Sequence, residues 1–270
     1  MEPSRAPDCH GGPLARQLVA PLLRREAVGS THHVLTFELD RPLEAEPGQF
    51  AMVRGAAWGS SPFLPRPMSL LEAGKTPSIL VKVVGEGTRR LATASPGELF
   101  TFHAPLGRGW SPCPADRTPV LVAGGVGVCP LLFLARSLAS LGREPIALYG
   151  GRTACELPLD GALGRVAELR IATEDGSSGE TGLVTRLLEQ VLRDTNGRVK
   201  AFVCGPRRMM AAVAGMCRDA GALCEVSLEA VMGCGFGACL GCAVPRAGGG
   251  YLYACSQGPC VDGFAVDWGR

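Results

Sequence analysis

Cys234, Cys239, Cys242 and Cys255 stand in the spacing C-x4-C-x2-C-x12-C, with Gly233, Gly235, Gly237 and Gly241 threaded around the first three. Four thiolates are a donor set for iron–sulfur or zinc chemistry. Structural zinc sites commonly pair two short C-x2-4-C knuckles, whereas three ligands on one loop with a distant fourth match the wrapping of a 2Fe-2S cluster. The glycines serve the same end, because they accept φ above zero and let backbone N–H groups close on the cluster sulfurs. Two alternatives stay open on spacing alone: a zinc site made from the same four thiols, and Cys260 in place of Cys255 as the fourth ligand.

A second stretch with chemical content is "LVAGGVGVCPLL", residues 121–132, which reads as a strand, a glycine-rich turn and a helix start. Gly124, Gly125 and Gly127 allow a backbone to approach a pyrophosphate, which then lies at the positive end of the helix. Pro130 stands where the third glycine of a G-x-G-x-x-G fingerprint would be. The motif alone therefore also fits a tight strand–helix turn without a ligand.

The elements that must position these residues fall into three blocks. From about Leu14 to Pro105, short runs such as "HHVLTFEL", "QFAMVRG", "SILVKVVG" and "ELFTFHAPL" alternate with Gly/Pro turns, which predicts an antiparallel β-barrel. The proline-rich "SPCPADRTP" reads as a linker and hinge. Beyond it, "PVLVAGG", "EPIALYGG", "VAELRIATED" and "KAFVCGP" alternate with helical patterns, among them "VCPLLFLARSLASLG", "TGLVTRLLEQVLRD" and "RRMMAAVAGMCRDAG". That alternation predicts a doubly wound parallel sheet. From about Ser227 the chain is rich in Gly and Cys and too short to bury much core, so it needs a staple. The expected domains are residues 1–112, 113–226 and 227–270.

Composition narrows the function classes. With 46% hydrophobic and 19% charged residues and a net charge of +2, the 270-residue chain is neither a disordered nor a nucleic-acid-coating protein. Lys75, Lys82 and Lys200 are the only lysines. The N-terminal "MEPSRAPDCHGGPLARQ" has no apolar core of a signal peptide, and no apolar run reaches the ~18 residues of a membrane span. The expected location is the cytoplasm, where clustered thiols hold metal or do redox work. Cys9, Cys113, Cys129, Cys155, Cys204, Cys217, Cys224 and Cys260 are scattered, and each reads first as a small packing residue.

Several of these stretches, in fixed order, resemble the electron-transfer subunit of class B dihydroorotate dehydrogenase, within the ferredoxin-reductase superfamily. They are "RPMSL", "VVGEGTRRL", "APLGRGW", "AGGVGVCP", "CGPRRMM", "VSLEAVMGCGFGACLGCAV" and "CSQGPCVDG". The resemblance implies a flavin-binding barrel, a NAD-binding α/β domain and a small 2Fe-2S domain. Arg66, Pro67, Met68 and Ser69 match a flavin motif whose arginine holds the FAD pyrophosphate and whose serine lies near flavin N5. Leu80, Val81 and Lys82 match the strand along the flavin, and Gly87 and Thr88 match a pair at its diphosphate. Gly124, Gly125, Gly127 and Pro130, with Cys204, Gly205 and Pro206, match the two loops that bracket the nicotinamide nucleotide. Cys204 lies near the ring in this scheme, while Cys129 is expected to pack. Cys234, Cys239, Cys242 and Cys255 match the cluster ligands, because C-x-x-G-P follows Cys255.

The implied partner is an FMN-containing dihydroorotate dehydrogenase catalytic subunit, in a heterotetramer of two of each subunit. Other modules of the superfamily are the alternatives: the small subunit of a sulfide dehydrogenase or bifurcating transhydrogenase, or an oxygenase reductase. The sequence places no ribose-reading acid or arginine, so it does not choose between NADH and NADPH.

Overall fold

A computed structural model describes residues 15–269; most of the N-terminal stretch, with Cys9, lies outside the described residues. The first block is a closed six-stranded antiparallel barrel: β1 (Arg16–Ala27), β2 (His32–Phe37), β3 (Phe50–Gly55), β4 (Arg66–Glu72), β5 (Ser78–Lys82) and β6 (Leu99–Leu106), in the order β1-β2-β5-β4-β3-β6. Period-two alternation fills it: Leu35, Phe37, Val53, Ile79, Val81, Phe100 and Phe102 point inward and are buried. Phe37 meets Phe102 edge-on with ring centroids 4.6 Å apart. Each such buried side chain contributes about 1.5–3 kcal/mol of transfer free energy. A helix that the sequence patterning had not indicated, α1 (Glu86–Thr93), packs Leu91 and Ala92 against the barrel.

The second block is the parallel sheet. Its strands are β7 (Thr118–Gly124), β8 (Ile146–Gly151), β9 (Glu168–Thr173), β10 (Glu180–Thr181), β11 (Val199–Cys204) and β12 (Leu223–Ser227), in the order β10-β9-β8-β7-β11-β12. The helices are α2 (Val128–Ser140), α3 (Asp160–Leu163), α4 (Val184–Asp194) and α5 (Arg207–Asp219). Alternate residues of β7 separate the two layers. Val120 and Val122 join the core under α4 and α5, and Leu121 and Ala123 join the core under α2 and α3.

The segment beyond β12 forms a small hairpin, β13 (Ala243–Pro245) with β14 (Tyr251–Tyr253), and then β15 (Cys260–Asp262). β15 pairs antiparallel with β12, so it becomes the seventh strand of the sheet. Cys242, Val244, Leu252, Ala254, Cys255 and Val266 merge into the sheet's core instead of making a separate one. This supplies the staple that so short a segment requires.

The proline-rich linker connects barrel and sheet as expected, but it is pinned rather than hinged. Glu225 accepts hydrogen bonds from Ser111 N and Oγ, and Lys200 Nζ donates to the carbonyls of Ser111 and Pro112. The Arg143 guanidinium donates to the carbonyls of Pro114 and Arg117. Among the described residues no helix is long and apolar enough to cross a membrane.

Candidate functional site

The cysteine loop brings the four expected thiols together as two pairs. Cys242 and Cys255 lie with their sulfurs 3.1 Å apart, and the Cys239 N–H donates to Cys234 Sγ at 3.4 Å. Gly237 N–H donates to Cys255 Sγ at 3.2 Å, and Cys255 N–H to Cys242 Sγ at 3.4 Å. Two thiol pairs are the division needed by a centre of two irons, each with two cysteines. Backbone N–H groups aimed at sulfur are the interactions that a cluster's thiolates use.

Partial burial opposes ionisation of Cys234, but the N–H groups of Cys239, Phe236 and Ala238 outweigh it and bring the thiol down to about 6. Burial and the adjacent Cys242 push Cys255 up to about 12; a coordinated metal reverses that, since it deprotonates a ligating thiol outright. Gly235 shows why the loop is so bare. Its φ is +83°, and a Cβ there would collide with Met52 and come within 3.2 Å of Leu106 on the barrel.

Cys260 is not with the others. It sits on β15 with its sulfur 3.8 Å from the carbonyl oxygen of Gly48, and a Cβ on Gly48 would come within 2.6 Å of that sulfur. Burial pushes its thiol well above the usual range. Cys260 packs the barrel against the sheet, and Cys255 is the neighbour of Cys242.

On the barrel, Arg66 lies directly across Gly87, where a Cβ would strike its guanidinium. Gly87 and Thr88 belong to the first turn of α1, and Thr88 Oγ1 accepts from the N–H groups of Val84 and Gly85. A guanidinium over a bare, positively polarised helix start is a cradle for a diphosphate, which fits the one carried by FAD. Pro67, Met68, Ser69 and Leu80 line a cavity of about 290 Å³ between barrel and sheet. The sheet contributes Gly127, Cys129, Pro130 and Cys204 to its walls, and the segment after β12 contributes Glu229 and Met232.

The run Leu80-Val81-Lys82 is divided by strand alternation. Leu80 faces this cavity, Val81 is buried in the barrel core with only its backbone to offer, and Lys82 faces a second cavity. Cys129 lies with its sulfur 3.4 Å from the Ser69 carbonyl oxygen, and burial pushes its thiol up to about 12. The Cys204 thiol is pushed up still further by burial. Both are held as neutral thiols, which agrees with packing for Cys129 and leaves Cys204 as a wall of the cavity.

The second cavity, about 770 Å³, runs along the C-terminal edge of the parallel sheet, where ligands of doubly wound folds bind. Gly124, Gly125, Gly205 and Pro206 line it, whereas Gly127 and Pro130, grouped with them by the sequence, line the first cavity. Gly125 has φ +52°, and a Cβ there would meet only the Glu156 carbonyl oxygen at 3.9 Å, whereas Gly127 is required because a Cβ would collide with the Cys204 carbonyl. Pro130 lies in the first turn of α2, where its missing N–H costs nothing.

Sequence reasoning missed three residues. Tyr149, buried on β8, places its hydroxyl 2.9 Å from the carbonyls of Gly125 and Pro158 and so props the glycine turn. Glu229 lines both cavities, and the protein crowded around this cleft residue pushes its carboxyl above the ordinary range. Glu156 lines the second cavity, paired with Arg152 and with Lys82 Nζ 3.8 Å away. Hydrogen bonding from Arg152 brings the Glu156 carboxyl down to about 2. The only local signal for Glu229 was its place in the "VSLEAVMGCG" block.

Comparison with known proteins agrees with this geometry. Residues 229–267 match the family model described as the iron–sulfur cluster binding domain of dihydroorotate dehydrogenase B, and residues 121–215 match an oxidoreductase NAD-binding domain. The chain is 38% identical over 232 residues to the dihydroorotate dehydrogenase B (NAD(+)) electron transfer subunit of Desulforamulus reducens, covering 83% of this chain and 87% of that one. It is 35% identical to the same subunit of Caldanaerobacter subterraneus subsp. tengcongensis, covering 90% and 95%. Among solved structures, an NADH-dependent reduced ferredoxin–NADP oxidoreductase, studied for flavin-based electron bifurcation, superposes with a TM-score of 0.80 at 26% identity, covering 92% of this chain and 90% of that one. A ferredoxin reductase of carbazole 1,9a-dioxygenase shares the fold, with a TM-score of 0.67 at 18% identity, covering 77% and 67%. With three thiols on one loop, a fourth brought beside them past the β13–β14 hairpin, and two cavities at β7's glycine turn, the chain belongs to the family of electron transfer subunits of NAD-dependent dihydroorotate dehydrogenase B.

Proposed function

We propose that this chain relays electrons between NAD(H) and an FMN-containing dihydroorotate dehydrogenase catalytic subunit, through FAD on the barrel and a 2Fe-2S cluster on the cysteine loop. The observation that carries the proposal is that barrel, sheet and cluster segment all wall one cavity: Ser69 and Leu80 from the first, Cys129 and Cys204 from the second, Glu229 and Met232 from the third. The chemistry those groups supply when bound is hydride exchange at the nicotinamide–flavin pair and single-electron exchange at the iron–sulfur centre.

The chain's own residues do the rest. Arg66, Gly87 and Thr88 anchor the FAD diphosphate, and Pro67, Met68, Ser69 and Leu80 wall the isoalloxazine, with the Ser69 hydroxyl as the donor near N5. Gly124, Gly125, Gly205 and Pro206 let the dinucleotide backbone approach, and Cys204 and Glu229 face the nicotinamide end. Cys234, Cys239, Cys242 and Cys255 hold the cluster. Around it stand Val231, Phe236 and Leu240, 85%, 61% and 53% exposed. Leu240 is held out in a left-handed conformation at φ +57°. Such an apolar collar around a redox centre suits a docked catalytic subunit, in a heterotetramer of two of each subunit. The thiol-rich composition fits a reducing cytoplasm.

An anaerobic preparation tests the assignment. The expected result is one FAD and two irons per chain, with NADH bleaching the flavin and raising the EPR signal of a reduced 2Fe-2S cluster. Folded protein that carries zinc, or that carries no flavin, would overturn it. Copurification with an FMN-bearing barrel protein is expected; copurification with a transhydrogenase partner would favour the bifurcating reading that the 0.80 TM-score neighbour invites.

A further inference from the structure

We infer that Glu174 selects NAD(H) against NADP(H), by holding an uncommitted carboxylate at the end of the second cavity that receives the adenosine ribose. The inference rests on the reading of that cavity as the nucleotide site. From β9 to β12 the sheet order gives four strand-to-strand steps, about 19 Å at ~4.8 Å each. That length suits an extended dinucleotide lying along the sheet edge.

The nicotinamide must lie where this cavity meets the flavin cavity, and Val126 and Glu229 are the residues common to both. The adenosine half therefore lies at the other end, over the tips of β8 and β9, where Arg152, Glu174, Gly182 and Thr185 form the lining.

Three carboxylates stand at that end, and two are engaged. Glu156 is tied to Arg152 and faces Lys82. Asp175 accepts from Ser177 N–H at 2.9 Å and from Ser177 Oγ at 2.6 Å. Glu174 has its backbone fixed, with its N–H donating to the Gly151 carbonyl at 3.1 Å and the following N–H to the Arg152 carbonyl at 3.2 Å. Its carboxylate has no hydrogen bond or ion pair among the described residues. It is a rigidly mounted acceptor with free lone pairs.

A ribose with both hydroxyls free can donate to such an acceptor. A 2′-phosphate brings an acceptor-only dianion against it. The cation that faces Glu174, Arg152, interacts with it through charge alone, while its hydrogen bonds go to Glu156 through Nε and Nη2. Discrimination thus comes from a repulsive carboxylate whose facing cation is shared with Glu156, as much as from a hydrogen bond gained.

Calorimetric titration of the full chain with NAD+, NADP+, 5′-AMP and adenosine 2′,5′-bisphosphate tests this. The two mononucleotides read the adenosine end alone, without any turnover. Wild-type protein is expected to bind NAD+ and 5′-AMP at least about tenfold more tightly than their 2′-phosphorylated counterparts. Glu174→Gln should shrink that ratio by about tenfold, Glu174→Arg should reverse it, and Glu174→Asp should preserve it. Because Glu174 is exposed, the variants should fold, with unchanged circular dichroism. A ratio unchanged in both Glu174→Gln and Glu174→Arg, or wild-type protein that binds NADP+ as tightly as NAD+, would overturn the inference. Wild-type protein that binds none of the four nucleotides would remove the nucleotide-cavity reading itself, and the inference with it.

Discussion

Where the linker crosses onto the sheet, and where the C-terminal segment meets the barrel, the contacts are buried and close. Lys200 and Glu225, 6% and 10% exposed, pair at 2.9 Å and share Ser111. Gly48 lies against Cys260 and Trp110, and Gly235 against Met52. Where the barrel faces the nucleotide cleft, its ion pair with the sheet side is Lys82–Glu156, at 3.8 Å and with side chains 33% and 23% exposed. The two seams suit two kinds of traffic. An electron hop between fixed groups needs a constant distance, so its seam is locked. A nucleotide must enter and leave, so its seam is open and held by a weak, hydrated pair.

The largest expected effect is at a cluster ligand on the locked side. Cys242→Ser should abolish the iron–sulfur absorbance and EPR signal while FAD content stays near one per chain; retention of both signals would remove Cys242 from the ligand set.

Next comes the buried ion pair. Glu225→Gln should destabilise the chain by about 3–5 kcal/mol in denaturant unfolding, because it strands the Lys200 charge, and the double variant Lys200→Met/Glu225→Leu should recover much of that loss. A single-variant loss below about 1 kcal/mol would show that this seam is no stiffer than a surface pair.

Gly235→Ala should be smaller, about 1–3 kcal/mol, from its positive φ and the crowding against Met52. It should also slow cluster reduction in stopped-flow experiments more than flavin reduction, and Met52→Ala in the same chain should relieve part of the crowding. Equal slowing of both steps would break the link between this contact and the flavin–cluster distance.

The smallest effect belongs to the open seam. Glu156 is held to about 2 in the folded chain by Arg152, below its unfolded value of about 4.3. Its stabilising contribution is therefore complete above about pH 4.3 and fades as pH falls toward 2. Comparison of wild-type protein with Glu156→Gln should show a difference of at most about 1 kcal/mol at pH 6, given the exposure of Arg152, and almost none near pH 2. A difference that grew on acidification would have the wrong sign for this pair.

What the sequence discloses follows the same division. The four cysteines proposed to hold the cluster are near one another in the chain, so spacing alone assembles most of the set. The alternation of strands and helices likewise discloses the doubly wound sheet. The locked seam was hidden because it joins residues far apart: Ser111 and Glu225 are separated by 114 positions. Cys260 stood beside the ligands in sequence, yet a strand carries it to the barrel. Leu80, Val81 and Lys82 read as one flavin-lining run, and alternation sends each to a different place. Glu174 carries no motif and Glu229 only its place in the cysteine block; the sheet order sets them at opposite ends of one cleft.

The antiparallel pairing of β15 with β12 bears on how the chain matures. During synthesis the barrel and the six parallel strands emerge before it, and all four cysteines proposed as ligands precede Cys260. A nascent chain halted at residue 259 would possess every thiol needed for iron, yet β12 would remain an unprotected border open to pairing with another molecule. Protection of the sheet against aggregation is thus completed only by residues made after the last thiol that could hold iron.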